Sequence, residues 1–191
     1  MAQYIYINGY PGVGKFTVAK ELEKLMPGSK VYHNHLLIDP VAPLVDRSSP
    51  HYRAIRTSLR RHVLEIIATS EATKDVTWIF TDSASDDPTG GASALDYQDA
   101  AARRGVPFLS VVLWCDLNEN LRRVVQEGRG GGLNTKLTDP EIAQTIRLEE
   151  ELYRFGGPSE LELDTTSTGP IEAARQILAH ISRVVDTEGP R

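Results

Sequence analysis

Gly9-Tyr10-Pro11-Gly12-Val13-Gly14-Lys15-Phe16-Thr17 follows directly on the apolar, β-branched and aromatic run Tyr4-Ile5-Tyr6-Ile7. The pattern G-x-x-x-x-G-K places glycines where successive backbone N–H groups must turn inward around phosphate oxygens, and it supplies a lysine that reaches the terminal phosphates. The next segment, Lys15 to Leu25, carries apolar residues at helical spacing, so a helix N-terminus adds its dipole and free N–H donors at the same place. Strand, loop and helix therefore come in the order that a nucleoside triphosphate site requires. The cradle residues are Gly9, Pro11, Gly12, Val13, Gly14, Lys15, Phe16 and Thr17.

The same alternation continues along the chain. Short apolar runs occupy 3–7, 30–33, 76–81, 107–114 and 160–163. Helical periodicity predicts helices over 14–26, 51–72, 92–104, 117–127, 139–152 and 170–185, the last with Ser167 or Thr168 as cap and Pro170 in its first turn. Alternation of this kind implies an α/β fold around a parallel sheet. The 191 residues fit one domain over 1–191, long enough to bury a core without disulfides or metals. Net charge is −5 with acids and bases interspersed, which argues against a general nucleic-acid or membrane surface, so any basic site must be local. The single Cys115 cannot form an intramolecular disulfide and points to the reducing cytoplasm; following Leu109 to Trp114, it reads as a buried thiol at a strand end. No apolar stretch approaches the roughly 20 residues of a membrane span, and no charged region leads into a signal-like core.

The residue after the lysine narrows the family. Phe16 stands where many phosphate loops carry the Ser or Thr that ligates magnesium, and the hydroxyl arrives one residue later at Thr17. The form G-x-P-G-x-G-K-x-T resembles the adenylate-kinase-like variant of the loop, and through it the small P-loop kinases that act on nucleotides and metabolites. That resemblance implies a three-layer P-loop NTPase fold with a five-stranded parallel sheet in the order 2-3-1-4-5. It also implies an acceptor-binding segment at about 33–75, a short mobile lid at about 127–138, and ATP with Mg2+ as cofactors. The metal would be held largely by phosphates and water, with Thr17 nearer the α-phosphate. A monomer and a homodimer are both compatible with it.

Asp82 ends the run Val76 to Thr81 and resembles the aspartate that closes the third strand in these kinases, where a fixed anion orients magnesium waters or the acceptor. Thr17 and Asp82 are thus the metal-side candidates. After the second strand, His33-Asn34-His35-Leu36-Leu37-Ile38-Asp39-Pro40 offers Asn34 and His35 as acceptor ligands, and either Asp39 or His35 as the base for an attacking hydroxyl. Arg53, Arg56 and Arg60 fall on one side of the following helix, a stripe that could clamp an anionic acceptor through Arg56 and Arg60. Cations that close over a moving phosphoryl group stabilise its transition state, and the resemblance assigns that work to Arg123 near a helix end and Arg129 in the glycine-rich stretch Gly128 to Gly132, with Arg122 next. It also implies adenine contacts in the loop after Leu161-Glu162-Leu163-Asp164.

The expected activity is transfer of the γ-phosphoryl of ATP to a hydroxyl of a small metabolite or nucleoside. A nucleoside monophosphate kinase is the alternative, although the place after the third strand reads Asp82-Ser83-Ala84-Ser85-Asp86 and lacks the arginine that adenylate kinases carry there. A nucleotide-dependent switch or ATPase acting on a protein partner is the third reading. It finds no N-K-x-D run, since Asn134-Thr135-Lys136-Leu137 fails at two positions.

Overall fold

In a computed structural model, which describes residues 1–129 and 135–188, each predicted apolar run is a strand. The elements are β1 (Tyr4–Gly9), α1 (Lys15–Leu25), β2 (Ser29–His33), α2 (His35–Ile38), α3 (Pro50–Thr69), β3 (Thr77–Thr81), α4 (Pro88–Arg104), β4 (Phe108–Trp114), α5 (Leu117–Val124), α6 (Pro140–Glu149), β5 (Glu160–Asp164) and α7 (Pro170–Glu188). All strand pairings are parallel, and the sheet order is β2-β3-β1-β4-β5, as the resemblance implied. Residues 130–134, which include Gly130 to Gly132 of the expected lid, lie outside the described residues, as do 189–191.

β1 is wholly buried because it lies mid-sheet between two helical layers. Its side chains alternate between faces. Ile5 and Ile7 join Val18 and Leu22 of α1 and Ala173, Ala174 and Ile177 of α7 in one core cluster. Tyr4 and Tyr6 join Phe80, Leu64 and Ile67 of α3, and Ala94, Tyr97 and Ala101 of α4 in the other. Burying each such large side chain contributes about 1.5–3 kcal/mol, which is what fixes the three layers. No helix among the described residues is long and apolar enough to cross a membrane.

Several helix bounds depart from the sequence reading, those of α5 and α6 by ending three residues early at Val124 and Glu149. α4 begins at Pro88, not at 92, because Asp87 caps it by accepting from the N–H groups of Thr89 at 2.7 Å and Gly90 at 3.0 Å, with Pro88 in the first turn. Gly90 is there for close approach, not as a breaker: a Cβ on it would come within 2.0 Å of the Ser85 carbonyl oxygen. The segment 51–72 is shorter than expected. α3 starts at Pro50, with Ser49 accepting from the His51 N–H at 3.3 Å, and ends at Thr69, after which Glu71–Thr73 forms a separate 3-10 turn. The short α2 was not anticipated; four residues give too little periodicity to read.

Candidate active site

The phosphate loop is shaped by two glycines and one asparagine. Gly12 has φ 98°, and a Cβ there would meet Asn120 Nδ2 and Val124 Cγ2 of α5 at 2.6 Å. Gly14, also at φ 98°, turns the chain into α1. Such left-handed backbone favours glycine, and it aims the N–H groups that follow at one point. Asn120, fully buried on α5, donates through Nδ2 to the Pro11 carbonyl at 2.9 Å and so pins the loop from behind.

Lys15 folds back over this loop. Its ammonium donates to the carbonyl oxygens of Gly9 at 2.5 Å and Tyr10 at 2.8 Å. Burial holds its pKa down at about 7 from 10.5, against the pull of the Asp82 charge, and the Arg129 charge lowers it further. The sign follows from proton linkage. Between about 7 and 10.5 the folded chain binds fewer protons at Lys15 than the unfolded chain, so this group makes stability rise with pH across that window. A phosphate ligand restores the charged form. Calorimetric titration with a nucleoside triphosphate at pH 8, in buffers of different ionisation enthalpy, is expected to show uptake of on the order of one proton that Lys15→Arg removes. Uptake unchanged in that variant would disprove the assignment of the shifted group.

A cleft of about 300 Å³ opens from the loop across the C-terminal ends of β1, β3 and β2. Gly14, Lys15, Phe16 and Thr17 form one wall; His33, Asn34 and His35 form the opposite one; Thr81, Asp82 and Ser83 lie between. Arg47, Arg56, Arg129, Thr135 and Lys136 complete the rim. Asp82 is 5% exposed, accepts from the Ser83 N–H through Oδ1 at 2.8 Å, and receives a long contact from the Tyr6 hydroxyl at 3.5 Å. Burial, reinforced by the Asp82 charge, holds the Tyr6 pKa well above 10, so this phenol stays a donor.

The wall after β2 contains a hydrogen-bonded chain. His35 Nδ1 lies 3.2 Å from Asp39 Oδ1, which also accepts from Thr135 through N–H at 3.3 Å and hydroxyl at 2.8 Å. Arg47 donates in turn to the carbonyl and hydroxyl oxygens of Thr135, each at 3.1 Å. Burial pushes the Asp39 carboxyl up, but the bonds from Thr135 and His35 outweigh it and leave its pKa below the usual value. The His35 imidazole is held below 6.5 by burial and by the charges of Lys136 and Arg47, against the pull of Asp39. Asp39 itself stands behind His35 and Thr135, which are the residues that line the cleft. Phe16 sits edge-on to His33 with ring centroids 4.7 Å apart, and the Lys136 ammonium lies 5.4 Å from the Phe16 centroid.

Two sequence expectations are corrected. Arg60 is not an acceptor ligand: it is 5% exposed, lines no part of the cleft, and donates through Nε and Nη2 to Asp96 Oδ2 of α4 at 2.9 and 2.7 Å. Its register on α3 turns it toward the neighbouring helix, where the carboxylate of Asp96 offsets its buried charge. Arg123 is not a free transition-state cation. Its Nε donates to Glu119 at 2.6 Å, Nη1 to Val13 O at 3.0 Å and Thr165 Oγ1 at 3.1 Å, and Nη2 to Thr165 O at 2.6 Å. It is a strut that ties the phosphate loop to the turn after β5. Arg122 likewise pairs with Glu119, at the surface.

The other expected residues converge on the loop and its cleft. Pro11, Thr17, Asn34, His35, Arg56, Asp82 and Arg129 line it, Arg129 with its Nε on the Leu137 carbonyl at 2.8 Å. Arg47, Thr135, Lys136, Asn120 and Tyr6 were missed. Asn120 alone left a signal, as a polar residue on the inner face of an otherwise surface-like helix. Cys115 is fully buried, and burial raises its pKa. Among the described residues no cluster of three His, Cys, Asp or Glu could hold a metal ion.

Neither a family model nor a curated protein sequence matches the chain. Solved structures do. A gluconokinase from Sinorhizobium meliloti 1021 is 17% identical, with 97% of this chain and 95% of that one covered and a TM-score of 0.65. An APS kinase from Mycobacterium tuberculosis, CysC in complex with AMPPNP and APS, is 15% identical over 95% of this chain and 98% of that one, with a TM-score of 0.64. A tunicamycin resistance protein from Deinococcus radiodurans is 21% identical over 95% and 96%, with a TM-score of 0.57. These likenesses show that the chain has the fold of P-loop kinases.

Proposed function

We propose that this protein transfers the γ-phosphoryl group of ATP to a hydroxyl of a small-molecule acceptor. One observation carries the reading: a phosphate-loop lysine and a His35–Asp39 pair face each other across a single cleft. The fold shared with a gluconokinase and an APS kinase supports it. Lys15, the loop amides and Arg129 hold the triphosphate. The acceptor oxygen attacks the γ-phosphorus; a new P–O bond forms as the bond from phosphorus to the β–γ bridging oxygen breaks, and ADP leaves with that electron pair.

The hydroxyl proton passes to His35 Nε2. Its Nδ1 is already engaged by Asp39, which fixes the tautomer and stabilises the imidazolium that results. The donors beside the loop, the Thr17 hydroxyl and the Asp82 carboxylate, are hard oxygens that suit Mg2+ held mainly through phosphate and water. When bound, that ion neutralises developing phosphate charge. Thr17 and Asp82 would hold it, and Phe16 offers no oxygen. Lone, buried Cys115 fits a cytoplasmic setting.

ADP release measured with and without a panel of hydroxyl compounds tests this reading. Release is expected only with an acceptor, together with a phosphorylated product. Hydrolysis that ignores every acceptor and responds to a protein partner would replace the kinase by an ATPase.

A further inference from the structure

α3 sorts its arginines into two kinds. Arg60 and Arg61 both bond to Asp96, and Glu65 of the same helix pairs with Arg103 of α4, so each of these arginines has a carboxylate partner. Arg56 is different. It points into the cleft, its Nη2 donates to Asn34 Oδ1 at 3.0 Å, its guanidinium carbon lies 5.7 Å from the Tyr52 ring centroid, and its Nε is buried with no partner. Among the described residues no carboxylate pairs with it. A buried N–H left unsatisfied costs the full loss of its hydration.

The charge of the cleft points the same way. The chain is net −5, yet the cleft lining carries Lys15, Arg47, Arg56, Arg129 and Lys136 against the one carboxylate of Asp82. Lys15 and Arg129 stand at the phosphate loop. Arg56 and Arg47 stand on the other wall, bonded to Asn34 and Thr135. Asn34 thus orients the guanidinium while the next residue, His35, carries the proposed base.

We propose that the acceptor is an anion as well as an alcohol: a compound with a hydroxyl for His35 and a carboxylate or phosphate-ester group for Arg56. This rests on the hydroxyl-kinase reading above and narrows its substrate class. An oxyanion beside Arg56 gives Nε the partner it lacks and the guanidinium the charge it lacks. Arg47, bonded through Thr135 to Asp39, adds a second cation on the same wall.

The test uses the full chain saturated with magnesium and AMPPNP, so that the phosphate loop is filled. Glycerate and glycerol 3-phosphate are then compared with glycerol, and six-carbon sugar acids and sugar phosphates with the neutral sugar alcohols, by thermal shift. The anions are expected to stabilise the nucleotide-loaded protein where the neutral partners do not; the carboxylate and phosphate arms tell which oxyanion fits. Arg56→Gln should weaken that binding about tenfold or more, with Arg56→Lys retaining part of it. AMPPNP binding by each variant reports that it is folded, and the wild-type comparison needs no variant at all. Equal response to neutral and anionic compounds, no response to any anion of the panel, or an anion response unchanged in Arg56→Gln overturns the proposal. Failure of AMPPNP to bind would sink the kinase reading itself, whereas nucleotide binding with transfer to neutral alcohols sinks only the anionic acceptor.

Discussion

Lys15→Ala is expected to abolish the thermal stabilisation that ATP with magnesium gives the wild-type protein, and the transfer reaction with it. A ligand that binds only the folded state raises stability by about 2.7 kcal/mol at one hundred times its Kd, so a well-bound nucleotide is easily seen in melting. Lys15 is the only side-chain cation in the loop Gly9 to Thr17. In the free protein its ammonium spends its donors on the Gly9 and Tyr10 carbonyls and fills no core position. The variant should therefore still fold without nucleotide, melting at or above the wild type because the cost of burying the ammonium is gone, and should lose the shift that nucleotide adds. A nucleotide-induced shift of wild-type size in Lys15→Ala would remove the phosphate-loop assignment and the function built on it.

How much of this could be read from the chain depends on how local each cause is. β1 and the phosphate loop were legible because the apolar run, the glycines and the lysine all act within fifteen residues of one another. The strands were legible for the same reason, whereas their order came from the resemblance, since no residue pattern states which strands are neighbours. The start of α4 was lost because Gly90 and Gly91 look like breakers, and only contacts from elsewhere in the chain explain them, Gly90 lying against the Ser85 backbone and Gly91 against the Tyr153 ring. The arginine stripe failed in a similar way. Arg56 and Arg60 are indistinguishable in sequence, but Asp96, 36 residues further on, captures Arg60 and leaves Arg56 to the cleft. The same holds for Arg123, whose partners Val13 and Thr165 lie 110 residues before and 42 after it. His35 and Asp39 were both legible as candidate bases from their shared turn; their order, imidazole in front and carboxylate behind, needed Thr135, 96 residues away from Asp39.

That order sets the second large effect. His35→Gln and Asp39→Asn are each expected to lower kcat by about 10²–10⁴-fold, the usual worth of a positioned general base, while leaving the ATP-induced thermal shift in place. His35 must be neutral to accept the proton, and burial together with the Lys136 and Arg47 charges holds its pKa below 6.5. The wild-type kcat at saturating ATP, where bound phosphates keep Lys15 charged, should therefore rise with pH through a value below 6.5 and then level off. Asp39→Asn removes the carboxylate that pulls that pKa up, so the residual activity should level off at still lower pH. His33 is the nearest other group able to titrate there, with its pKa also lowered by burial and by His35. Loss of the acidic limb in His35→Gln separates the two. The outcome also decides between acceptor chemistries: a phosphate acceptor arrives already ionised and needs no base, so nucleoside monophosphates turned over at full rate by His35→Gln and Asp39→Asn would replace the hydroxyl kinase by a monophosphate kinase.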